Sequence, residues 1–228
     1  MINKITEYVR RDPETFEYYM EKDFNENQLL VDFKKYVASD GKILLPFVSE
    51  VVSEVFPFIQ AGIKQDIINK SIEQGNCVHD LVSRSIKARK QEKIELVKNE
   101  CKNPNHIAIA VKIISVLNSF IYKHKIKYIY SEETFLSFSK FLYLGTPDII
   151  MVGERDCYII DIKTSRVNYV EKAEAQLFLY REMLESSGMK VHSAYIVNPR
   201  ENITVQEARI PETNIKKKLY FIIQSGFN

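Results

Sequence analysis

A chain of 228 residues with 45% hydrophobic and 27% charged content can bury one sizeable core, and no long polar linker interrupts the pattern. Its net charge of +2 excludes a polycation, so affinity for nucleic acid would have to come from local clusters of Lys and Arg. Three widely spaced cysteines, Cys77, Cys101 and Cys157, argue against a disulfide framework and fall short of the four thiolates of an iron-sulphur cluster. They lead us to expect a reducing compartment: intracellular and cytoplasmic, or the host cytoplasm if the chain is viral. No run of about 18 apolar residues reads as a membrane span. The acidic, aromatic start (Glu14, Phe16, Glu17, Tyr18, Tyr19) is unlike a signal or transit peptide.

In chain order, residues 1–26 read as an acidic helix. Residues 29–37 and 42–47, separated by Ser39-Asp40-Gly41, read as a hairpin. Helices are predicted near 48–56, 61–93 and 105–124. Strands follow near 127–137, 141–152 and 156–164, then a helix over roughly 169–187. Strands near 191–198 and 203–209 precede a final helix from about Glu212, with Pro211 at its mouth. The fold class is α/β, a central mixed β-sheet flanked by helices. A helical and hairpin N-terminal extension (1–47) precedes the main domain (48–228), the two forming one structural unit.

Four places carry chemistry. In the second long helix Ile68, Ile72, Gly75, His79, Val82 and Ile86 recur at helical spacing, which sets His79 in an inward-facing stripe. Asp148 opens the apolar run Asp-Ile-Ile-Met-Val, and Gly153-Glu154-Arg155-Asp156 turns it into Tyr-Ile-Ile-Asp-Ile-Lys. Strand alternation puts Asp161 and Lys163 on one face. Acid-x-Lys occurs four times in the chain (Asp32/Lys34, Asp40/Lys42, Glu100/Lys102, Asp161/Lys163), but only the last lies in an apolar strand with a second acid upstream. Ionised acids on buried strands are costly unless neutralised, and a hard divalent cation does that while activating water. In the following helix Ala173, Gln176, Leu177, Tyr180 and Leu184 share a face, with Gln176 one turn from Tyr180.

Each motif has a bland reading. A lone His on an apolar face is usually a hydrogen-bonded core residue, Gln176 and Tyr180 could be core-edge packing, and Asp161 with Lys163 could be a strand-end ion pair. The basic runs Lys87/Arg89/Lys90/Lys93, Lys123/Lys125/Lys127 and Lys216 to Lys218 could be solvated helix faces rather than phosphate tracks.

Taken in order, Gly75-x-x-x-His79, Glu133, Gly145-Thr146-Pro147-Asp148, Asp161-Ile162-Lys163-Thr164-Ser165 and Gln176-x-x-x-Tyr180 resemble the RecB-like branch of the PD-(D/E)xK nuclease superfamily. Within it, the chain looks most like the small stand-alone exonucleases of phages and of mitochondrial genome maintenance. The resemblance spans about Leu45 to Gly226, and is least complete at Leu45-Pro46-Phe47-Val48-Ser49. It implies a PD-(D/E)xK core whose metal ligands are His79, Asp148, Asp161 and the carbonyl of Ile162, with Lys163 orienting the attacking water. It also implies DNA contacts or site shaping by Thr164, Ser165, Gln176 and Tyr180, and an accessory role for Glu133, strand register deciding between it and Glu132. The expected cofactor is Mg2+ or Mn2+, the His nitrogen suiting Mn2+. The expected activity is exonucleolytic hydrolysis of DNA, single-stranded or frayed at its ends, in replication, recombination or repair. The alternatives are a structure-specific or restriction-type endonuclease on the same core, and a non-catalytic nucleic-acid-binding module.

Overall fold

The segment Cys157–Ile162 (β8) is buried at every position, as its unbroken run of apolar and β-branched residues requires of a strand covered on both faces. Alternation divides it. Cys157 and Ile159 point into one apolar core, and Tyr158, Ile160 and Ile162 into the other. This computed structural model describes residues 9–11, 18–20, 43–57, 62–89, 93–97, 100–137, 141–166, 169–200 and 202–225.

Strand β8 is the centre of a five-stranded sheet. On one side lie β7 (Ile149–Val152) and then β4 (Tyr128–Ser131), both antiparallel; on the other β9 (Val191–Val197) runs parallel and β10 (Val205–Glu207) closes the edge antiparallel. Parallel neighbours need a crossover, and α4 (Val170–Ser186) supplies it between β8 and β9. On one face α4 packs with α1 (Val48–Val55) and α5 (Thr213–Ser225); on the other lie α2 (Gln65–Lys87) and α3 (Pro104–His124). The expected mixed sheet flanked by helices is thus present.

The hairpin joining β7 to β8 turns where the sequence places it, with Gly153 N–H donating to the Asp156 carbonyl at 2.9 Å. The predicted strands 127–137 and 141–152 are each interrupted. Glu132 takes a left-handed conformation (φ 54°), and Pro147 has no N–H for the ladder. The short pair β5 (Phe135–Leu136) and β6 (Leu144–Gly145) therefore lies outside the main sheet. α3 opens on Asn103, whose side chain accepts from Asn105 N–H, followed by Pro104.

Three expectations change. Where the helix over 1–26 can be checked, β1 (Val9–Arg11) and β2 (Tyr18–Met20) are paired strands, in keeping with their β-branched and aromatic residues. Ile43–Leu44 (β3) pairs with β2; residues 29–37, the other arm of the expected hairpin, lie outside the described residues. Cys77 and Cys101 are joined by a disulfide, and Cys157 alone is a buried free thiol. An odd cysteine count does not prevent one pair, so the inference of a reducing compartment loses its basis. Third, α3 is long and apolar enough by composition to cross a membrane, although His106, Ala110, Ile113, Ile114, Leu117 and Ile121 are buried along it.

Candidate active site

At the end of β8 the alternation that sends Ile160 and Ile162 toward α2 and α3 sends Asp161 the other way, toward α4. Asp161 is 2% exposed. The Lys163 ammonium lies 2.8 Å from its Oδ2 and 3.0 Å from its Oδ1, but only the Oδ1 contact is directed as a hydrogen bond. Asp161 Oδ2 is therefore a buried anionic oxygen whose close polar contact, among the described residues, is the Lys163 ammonium alone. Burial pushes this carboxyl up to about 6, and nearby Asp148 adds to the rise against the opposing pull of Lys163.

Asp148 enters from the other arm of the hairpin, one residue before β7. Its Oδ2 accepts from Ile162 N–H at 2.7 Å, and its Oδ1 lies 3.5 Å from His79 Nδ1 on α2. Burial would raise the Asp148 pKa, but His79, Lys163 and the Ile162 N–H together hold it below the usual carboxylate range. The reverse holds for His79: burial would lower its pKa, and the Asp148 and Asp161 charges carry it above the ordinary imidazole value. For Lys163, too, the two carboxylates outweigh burial and hold the ammonium in its charged form.

Gln176 and Tyr180 complete the arrangement from α4. Gln176 Oε1 accepts from Lys163 Nζ at 3.3 Å, Gln176 Nε2 donates to Tyr180 Oη at 2.9 Å, and Tyr180 Oη donates to the Thr146 carbonyl at 3.1 Å. One chain of hydrogen bonds thus ties the lysine to the segment carrying Asp148. The Tyr180 ring is 2% exposed and presents no face on which a base could stack; its place is in shaping the site. The ring lies against Gly145, where a Cβ would stand 2.6 Å from Tyr180 Cε1 and 2.9 Å from Val48 Cγ2. Only glycine lets these elements approach so closely. Gly75 is different, since a Cβ there would meet only Thr164 Oγ1, at an ordinary 3.8 Å.

The structure brings His79, Asp148, Asp161, Lys163, Gln176 and Tyr180 together. Ile162 sits between Asp161 and Lys163, with its N–H on Asp148. The Thr164 carbonyl accepts from Gln74 Nε2 (2.6 Å) and from Arg200 (3.1 Å), and the Ser165 carbonyl accepts from Asn198 Nδ2 (2.9 Å). Sequence reasoning missed Gln74, Asn198 and Arg200, which fix the chain beyond Lys163 and dock it to α2; they stand far from Thr164 and Ser165 in sequence, and no motif marks them. Half-buried Glu133 precedes Thr134, whose hydroxyl meets that of Thr146 at 2.8 Å. Its neighbour Glu132 turns to α2 instead, accepting from Ser83 Oγ at 2.6 Å and from Lys87 at 3.2 Å. Of the basic runs, Lys87, Lys93 and Lys127 pair with Glu132, Glu95 and Glu154, which reduces the charge they present to a phosphate.

Comparison of the sequence with protein-family models and with curated proteins finds no match. Among solved structures, the crystal structure of SSO0001 is similar over 86% of this chain and 85% of that one, with 15% identity and a TM-score of 0.39. A likeness at that level carries no argument about fold family or chemistry.

Proposed function

We propose that this chain is a metal-dependent nuclease on a RecB-like PD-(D/E)xK core, hydrolysing phosphodiester bonds of DNA from single-stranded or frayed ends. The observation that carries the reading is the convergence of the buried Asp161 carboxylate with a second carboxylate, Asp148, and the His79 imidazole, all beside Lys163. A purely structural ion pair has no use for a second acid and an imidazole at the same point, and clustered acids repel the phosphate backbone that a binding-only module would have to hold. The donor set, two carboxylates with one imidazole, fits a divalent cation that accepts oxygen and nitrogen. Asp161, Asp148, His79 and the carbonyl of Ile162 would hold it. A bound Mg2+ or Mn2+ supplies polarisation of the phosphoryl oxygens and a lowered pKa for attached water.

The protein's own groups do the rest. Lys163, held between Asp161 and Gln176, orients the attacking water by charge and offsets charge developing on the non-bridging oxygens. His79 must shed its proton to act as a ligand, and its contact with Asp148 Oδ1 orients the ring meanwhile. Tyr180 and Gln176 fix the Lys163 ammonium relative to Asp148. The overall change is addition of water across one P–O bond, leaving a phosphate monoester and a free hydroxyl.

The test is digestion of linear and circular DNA, single- and double-stranded, with Mg2+, Mn2+ or excess EDTA. Cleavage of linear single strands that needs metal and spares the circle supports the reading. Cutting of the circle at a comparable rate replaces it with an endonuclease on the same core, and cleavage in EDTA removes the metal from it.

A further inference from the structure

Beside Lys163 a groove of about 770 Å3 opens between the end of α1 and the first turn of α4. Its walls include Phe56, Pro57, Lys163, Tyr169, Lys172 and Gln176. Sharing Lys163 and Gln176 with the acidic cluster, it is continuous with the candidate active site, and its size suits a nucleotide-sized ligand. The wall and the floor differ in character. Tyr169, the residue at the N-cap of α4, is 62% exposed and its side chain makes no capping hydrogen bond. Phe56, at the end of α1, is half-buried.

The groove also carries two lysines, Lys163 and Lys172. Lys172 reaches across to α1, its ammonium 3.3 Å from both Ser53 Oγ and the Phe56 carbonyl. Burial first, and the charge of Lys163 second, hold its pKa below the ordinary lysine value; no carboxylate pairs with it among the described residues, so its charge is open to an anion. Glu171 is the one acid among the lining residues, and it is exposed. Aromatic and apolar walls with lysines beside them match a nucleotide, which has a flat π face and an anionic edge. A base paired in duplex has no free face to offer, whereas an unpaired base stacks on aromatics whatever its sequence.

We infer that this groove is a nucleobase subsite, seating one unpaired base of a DNA strand against Tyr169 and Phe56 with its phosphate at Lys172, next to the bond to be cut. The inference rests on the nuclease reading above. It moves the stacking surface from Tyr180, which is buried, to Tyr169, which is not, and it makes the preference for single strands a property of the site rather than of the strand end.

The experiment uses single-stranded oligonucleotides carrying 2-aminopurine at successive positions from either end, bound to the full chain in Ca2+, together with steady-state cleavage of the unlabelled oligonucleotide in Mn2+. Stacking quenches the probe. Wild type is expected to quench it at one position and not in a blunt duplex, whereas Tyr169→Ala should lose the quench and raise KM about 5- to 100-fold with kcat little changed. Tyr169→Phe should keep both. Tyr169 is exposed, so neither change threatens the fold. An unquenched probe in wild type, or equal quenching and KM in Tyr169→Ala, on a protein that still cleaves DNA, overturns the subsite and leaves the nuclease reading standing. Equal quenching in duplex overturns the single-strand assignment. If wild type neither binds nor cleaves the oligonucleotide, the nuclease reading itself fails and the subsite goes with it.

Discussion

Replacing Asp161 by Asn tests whether the site is built for a cation that the folded protein must wait for. The carboxyl stands at about 6 against an ordinary 3.8, roughly two units, and at about 1.4 kcal/mol per unit the charged form carries about 3 kcal/mol of unfavourable free energy in the metal-free fold. The folded state therefore binds a proton more tightly than the unfolded chain. Stability from this group falls as pH rises from about 4 to about 6, and the full penalty applies above that. Asparagine keeps the shape and removes the charge, but it also deprives Lys163 of its partner. The expected net gain is about 1–2 kcal/mol at pH about 7.5, shrinking toward zero by pH about 4. Urea denaturation of both proteins in EDTA at the two pH values measures it. Added Mn2+ should then raise the melting temperature of wild type and leave the variant nearly unmoved. A variant less stable than wild type at neutral pH, or a difference independent of pH, would refute the argument that burial of the Asp161 charge strains the apo fold.

Lys163→Ala should abolish turnover while DNA binding persists, as read by gel shift beside a cleavage assay; substantial cleavage by the variant would remove the lysine from the chemistry. His79 carries a pKa raised through its contact with Asp148, so the stability it adds is present below the ordinary imidazole range and is lost as pH rises through the raised value. Metal binding, which needs the neutral ring, should strengthen over that same interval. His79→Ala should cost about 1 kcal/mol in EDTA, the contact with Asp148 being a long one at 3.5 Å, yet lose most of the Mn2+-induced stabilisation; a variant that unfolds readily but stays active when folded would make it a core histidine. Gly145→Ala should cost about 1–3 kcal/mol, since Tyr180 and Val48 cannot both yield, and Gly75→Ala should be neutral or stabilising by about 0.5–1 kcal/mol as a helix interior position. Equal effects at the two glycines, by thermal melting, would contradict the packing described.

The hairpin of Asp148 and Asp161 was legible because period-two alternation and turn residues are local signals, and the same rule put Lys163 beside Asp161. The α4 face was legible from its 3.6-residue period, which also set Tyr180 inward; that its hydroxyl would hold the Thr146 carbonyl was not, because the partner lies 34 residues away. The choice between Glu132 and Glu133 depended on a left-handed backbone turn that no propensity marks. The α2 stripe was only half right. Val82 and Ile86 are buried and Ile68, Gly75 and His79 half-buried, whereas Ile72 is 55% exposed, and the buried Val78 was not in the stripe. The segments at the start of the chain misled for another reason: acidic residues among aromatics suit either state, and the pairing of β1 with β2 and of β2 with β3 decided the matter.

The Cys77–Cys101 bond spans 24 positions, and His79 is the one proposed metal ligand within that span. A covalent ring of that size restricts the unfolded chain by about 3 kcal/mol of entropy in the chain-entropy picture, as much as the burial of Asp161 takes away. Thiol reductant in a buffer is therefore a variable as large as a substitution in the site, and it acts on the segment that delivers the imidazole. Melting temperatures and metal affinities of the variants above are comparable only when every sample is held in the same thiol-disulfide state.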